Sequence, residues 1–89
     1  MVHEAITTLA PADIISRAKT FFAERVPHHA AYAEKEGPAF LSLRGQGGEE
    51  IVIAVLAAEG GTRVRASTLF FDQAVARFLS TLPEPAVVA

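Results

Sequence analysis

Hydrophobic and polar positions change period along this chain, and each change marks an element boundary. Val2, Ile6, Thr7 and Thr8 form a short β-branched run, which predicts a first strand over Val2–Thr8. Leu9-Ala10-Pro11 ends it. Pro11 suits the first helical position, where its missing N–H costs nothing, and Asp13 then falls in the first turn against the positive helix end. From there Ile14, Ile15, Ala18, Phe21, Phe22 and Val26 recur at helical spacing, with Arg17, Thr20 and Glu24 largely elsewhere on the wheel. Val26-Pro27 stops this helix, because proline disfavours the helical region for the residue before it.

The middle of the chain reads in period two. Ala30–Glu36 fits either a short edge strand or an irregular connection, and its Glu34-Lys35-Glu36 run suits a solvated edge. After the Gly37-Pro38 turn signal, Phe40, Ser42 and Arg44 alternate with Leu41 and Leu43. Gly45-Gln46-Gly47-Gly48 is a loop. Glu50–Ala58 is the expected centre of the sheet. Ile51, Ile53 and Val55 point one way and Val52, Ala54 and Leu56 the other, so both of its faces are apolar. Glu59-Gly60-Gly61 predicts a hairpin turn, and Thr62–Thr68 sets Arg63, Arg65 and Ser67 against Val64 and Ala66. Phe71, Val75, Phe78, Leu79 and Leu82 return to helical spacing, with Asp72 as the expected cap and Pro83-Glu84-Pro85 as the stop.

This order, β-α-β-β-β-β-α with the second strand open, predicts an α+β fold. The expected architecture is a curved antiparallel sheet of four to five strands with two helices packed on one face. Residues 1–83 make a single domain and 84–89 a short tail. The step Thr8-Leu9-Ala10-Pro11-Ala12-Asp13, the hairpin Gly60-Gly61-Thr62-Arg63-Val64 and the closing amphipathic helix carry a resemblance over essentially the whole chain. The pattern resembles one TATA-binding-protein-like repeat, and it is also similar to a shortened helix-grip domain of the START and polyketide-cyclase type. The first resemblance implies a saddle-like sheet with wedging phenylalanines, for which Phe40 faces a suitable side. The second implies an apolar ligand held between the long helix and the sheet. Only the architecture carries over from either family.

Composition narrows the chemistry. The 89 residues are 51% hydrophobic and 20% charged, which excludes a disordered chain and demands a core. Eight Lys+Arg against ten Asp+Glu give a net charge of −2, unlike a polycation built for nucleic acid. The absence of cysteine removes disulfides, zinc–thiolate sites and thiol nucleophiles together. No basic start precedes an unbroken apolar run, and Ile51–Ala58 is too short for a bilayer, so a cytoplasmic protein without membrane contact is expected.

Candidate sites follow. His28-His29 with Glu24 and His3 is the first place to seek a metal, but Pro27 breaks the helix that would align them, and a polar helix-end corner is the better reading. Ser16, Ser42, Ser67 and Ser80 occupy no nucleophile elbow. Asp13 and Asp72 read as helix-start residues, and adjacent Glu49 and Glu50 point apart on a strand. Gly45, Gly47 and Gly48 lack the following helix and Lys-Ser/Thr pair of a phosphate loop. No catalytic residue, cofactor or metal is therefore assigned.

Two surfaces remain. Arg44, Arg63 and Arg65 make a possible anion or nucleic-acid contact if they share the open sheet face; the bland alternative is that they solvate it and pair with Glu49 or Glu50. Ile51, Ile53 and Val55 with Phe40 form the expected interface or ligand surface, the face of the central strand left uncovered by the helices. So small a chain also gains stability by association. The expected function is a non-enzymatic binding or assembly module that self-associates, as a homodimer, through a sheet edge or the open sheet face. The alternatives are an apolar small-molecule binder of reduced helix-grip type and a saddle-like nucleic-acid binder.

Overall fold

A computed structural model of the chain describes residues 1–26 and 29–84. Its elements are β1 (Val2–Thr7), α1 (Pro11–Glu24), β2 (Ala31–Gly37), β3 (Phe40–Gly45), β4 (Glu50–Ala58), β5 (Gly61–Thr68) and α2 (Asp72–Ser80). The five strands form one open sheet in the order β1-β5-β4-β3-β2, with every neighbouring pair antiparallel. This is the expected α+β architecture, and the open segment after the first helix proves to be a strand.

The topology follows from one long crossover. α1 carries the chain from β1 at one edge to β2 at the other, and three tight connections then return it until β5 pairs with β1. Pairing of Gly37 with Phe40 leaves Pro38-Ala39 as a two-residue turn. Pairing of Ala58 with Gly61 leaves Glu59-Gly60, and Gly60 takes φ +81°, a region that glycine enters without strain. The β3–β4 loop closes with the Gly45 N–H donating to the Glu49 carbonyl at 2.7 Å.

Both helices lay their apolar stripes on the same face of the sheet. Ile14, Ile15, Ala18, Phe21 and Phe22 of α1 and Ala74, Val75 and Phe78 of α2 are buried. They meet Leu41, Leu43, Ile51, Ile53, Val55, Val64 and Ala66 in one core. Phe21, Phe22 and Phe78 pack in tilted and edge-to-face contacts, with centroids 5.1 to 5.5 Å apart. Leu79 reaches this core only in part.

Two details depart from the expectation at the last helix. Asp72 does not cap it: the N-cap position is Phe71, without a side-chain cap bond. The Asp72 carboxylate instead meets His3 Nε2 at 2.9 Å, tying α2 to β1. The entry to α2 is held by the Thr68 hydroxyl, which accepts from the N–H groups of Phe70 and Phe71 at 3.3 and 3.1 Å. Beyond the helix, the Pro83 carbonyl accepts from the Thr7 hydroxyl at 2.6 Å and from the Thr8 N–H at 3.3 Å. Residues 85–89 of the expected tail lie outside the described residues. Among those described, no helix is long and apolar enough to cross a membrane.

Candidate functional site

The face of the sheet turned away from the helices is defined by register. Residues paired across antiparallel strands point to the same side. The Ala58–Gly61 pairing places Leu56 opposite Arg63, Ala54 opposite Arg65 and Val52 opposite Ser67. Arg63 and Arg65 are exposed while Val64 and Ala66 are buried. Val52, Ala54 and Leu56 therefore share the open face with the arginines.

This corrects the sequence reading. Ile51 and Ile53 are 0% exposed and Val55 2%, because they lie under the helices; these three do not form the uncovered face. Phe40 does lie on it, paired with Ala54 and 42% exposed. Val52 at 38% and Leu56 at 53% take the places assigned to the other three. The result is an apolar strip along β4, Val52-Ala54-Leu56, widened by Phe40 on β3. On the other side stand Arg63 and Arg65, and beyond Arg63 lies Ile6 of β1.

Arg44, Arg63 and Arg65 do share this face, but their charges are unequally available. Arg44 Nε donates to Glu34 Oε2 at 2.5 Å and its Nη2 to Glu34 Oε1 at 3.1 Å, a two-pronged pair. Arg44 also reaches Glu50 at 3.4 Å and the Gly48 carbonyl at 2.9 Å. Hydrogen bonding from Arg44 holds the Glu34 carboxyl below its ordinary range, and the same bond raises Arg44. Arg65 stands 3.7 Å from Glu4 on the neighbouring strand. Arg63 faces the apolar Ile6 and Leu56.

The two edges differ as well. β2 carries a register shift between Ala33 and Lys35, its Glu36 pairs with Lys19 of α1 at 2.9 Å, and Tyr32 is exposed. A bulged, charged strand resists addition of another strand. β1 pairs with β5 in unbroken register.

The remaining candidates disperse. His3 is bonded to Asp72, His29 packs edge-on to Phe70 at 5.2 Å, and His28 lies outside the described residues. No group of three or more His, Asp or Glu gathers among the described residues. Glu49 folds back to accept from the Gly47 N–H at 3.3 Å, while Glu50 turns to Arg44. The Ser80 hydroxyl donates to the Arg77 carbonyl at 2.6 Å.

The exposed set was missed because β4 is apolar on both sides, so its own alternation does not say which side is covered. The usable signal lay one strand away. β5 has an unambiguous polar side, and counting back through the Glu59-Gly60 turn transfers that side to Leu56, Ala54 and Val52. Compared with protein-family models, curated proteins and solved structures, the chain matches none.

Proposed function

We propose that this protein is a non-enzymatic binding module that self-associates through the open face of its sheet. The observation that carries the reading is the exposure of Val52, Leu56 and Phe40 side by side in the interior of the sheet. Strand backbones already hold these side chains in place, so little ordering is lost when they are covered. Contiguous exposed apolar surface of this kind marks interaction sites. The bulged and charged β2 edge favours the face over that edge as the contact.

The other two readings have less support. A helix-grip ligand would need room between α1 and the sheet, where Ile14, Ala18, Phe22, Leu41, Leu43 and Ile53 are each 0% exposed. A nucleic-acid surface would need free arginines, whereas Arg44 and Arg65 already face carboxylates.

Light scattering at micromolar concentration tests the proposal. The expected result is a dimer whose affinity changes little with salt, because apolar contact is not screened. Leu56→Glu should yield a monomer with an unchanged circular dichroism spectrum. A wild type that stays monomeric up to millimolar concentration overturns the reading.

A further inference from the structure

The open face is organised about its middle strand. β4 is the third of five strands in the sheet, and one row of paired residues crosses the whole sheet through it: Glu4, Arg65, Ala54, Phe40 and Gly37. Ala54 is the small residue at the centre. On one side stands an exposed ion pair, with Arg65 Nε 3.7 Å from Glu4 Oε1. On the other stands an exposed aromatic, the Phe40 ring, lying where a Cβ on Gly37 would stand. Arg65 thus leans from β5 toward the β1 edge, and Phe40 leans from β3 toward the β2 edge.

The two halves of this row are unlike and complementary. A guanidinium that meets a carboxylate through Nε keeps its flat faces free, and such a face stacks on an aromatic ring. Phe40 offers that ring, 42% exposed and backed by Gly37. Within one chain the two do not meet. β5 and β3 lie two strand spacings apart, about 10 Å, and the side chains lean away from each other. A second copy can bring them together.

Two kinds of two-fold axis lay one open face on another with the strands aligned, as packed sheets prefer. An axis across the strands, centred on Ala54, sets β5 on β5, so that Arg65 faces Arg65 and Phe40 faces Phe40. An axis along β4 exchanges the sides: β5 lies on β3, and Val52, Ala54 and Leu56 each lie on their own counterpart. Glu50 then faces Glu50, but at the end of the strip, where each carboxylate already faces its own Arg44 at 3.4 Å. Given the self-association proposed above, on which this rests, we infer that two copies pack sheet to sheet about an axis along β4, with Arg65 of each stacked on Phe40 of the other. Two five-stranded sheets then lie inside the assembly and the helices outside.

The test uses wild-type protein, half of it isotope-labelled, and reads nuclear Overhauser effects filtered for contacts between copies. The expected result is a set of cross-peaks between the Arg65 side chain and the Phe40 ring. The absence of cysteine from the chain allows a second measurement. Leu56→Cys should be joined to itself by a short bis-maleimide, as should Val52→Cys, and a mixture of the two should give mainly like-to-like products. Arg65→Gln and Phe40→Leu should each weaken dimerisation by roughly five- to thirtyfold, for two stacked pairs, and the double variant should be little weaker than either. A dimer that lacks the Arg65–Phe40 contacts, or that crosslinks only between Leu56→Cys and Val52→Cys, leaves self-association standing and overturns this geometry. So do losses that simply multiply in the double variant. A wild type that stays monomeric up to millimolar concentration overturns both.

Discussion

The two faces of β4 carry nearly the same chemistry and meet opposite fates. Ile51, Ile53 and Val55 on one side are sealed under the helices, while Val52, Ala54 and Leu56 on the other line an open sheet. Composition does not separate them. What separates them is the side on which α1 lies as it crosses from β1 to β2. An apolar side chain is thus a core residue or a contact residue according to what the rest of the chain places over it.

Truncation on each side is the sharpest way to break this comparison. Phe22→Ala or Phe78→Ala, beneath the helix-covered face, should cost about 3–5 kcal/mol in equilibrium urea unfolding, since both rings are fully enclosed and leave cavities. Leu56→Ala on the open face should cost less than about 1 kcal/mol when measured on the monomer. A large loss at Leu56, or a small one at Phe22, would mean that the faces do not divide the labour as described.

A smaller effect tests the register that assigns the faces. The turn between β4 and β5 determines which residues oppose Arg63 and Arg65, and Gly61 at its end lies against β1. A Cβ there would collide with the Thr7 carbonyl, a backbone atom with little room to move. Gly61→Ala should therefore destabilise by about 1–3 kcal/mol, as overpacking does. Gly60→Ala, with open space around it but a positive φ, should cost only about 1 kcal/mol. Thermal denaturation of the two variants gives the order, and the reverse order would contradict this packing of β1 on β5.

The smallest expected effect is electrostatic and concerns the join between β1 and α2. The hydrogen bond from His3, and after it the positive charge of the chain amine, hold the Asp72 carboxyl below its ordinary range. A carboxyl depressed in the folded state contributes stability above its unfolded pKa of about 3.9, and that stability is lost as pH falls through the folded value. Asp72→Asn should lose less stability than the wild type between about pH 5 and pH 3, and the two should run parallel above that window. Parallel curves throughout would show that the His3–Asp72 contact carries no net stability.

Much of this fold was legible in local pattern. Pro11 and Asp13 marked the start of α1, and the Phe21, Phe22 and Phe78 stripes pointed to the core they occupy. The Gly60 turn and the alternation of Arg63 and Arg65 with Val64 and Ala66 gave the last hairpin. Ala31–Gly37 was harder, because an edge strand with exposed charges and a bulge lacks clean alternation. Phe40 read onto the open face where it lies, the common face of Arg44, Arg63 and Arg65 was conditional, and the apolar partners expected for Phe40 came from the wrong side of β4.

Periodicity is a local property, and it determined the helices, the turns and the two sides of β3, β4 and β5 from residues only a few positions apart. Which side of β4 is covered is not local. It depends on β1 joining β5, whose paired residues lie 55 (Thr7 with Thr62) to 65 (Val2 with Ser67) positions apart, and on α1 spanning the sheet between its edges. The tertiary structure also decided the electrostatic partners. His3 meets Asp72 across 69 positions, and Arg77 meets the end of α1 across 52. Such pairs are chosen by proximity in space, and the same proximity sets Arg44 and Arg65 against carboxylates on the sheet.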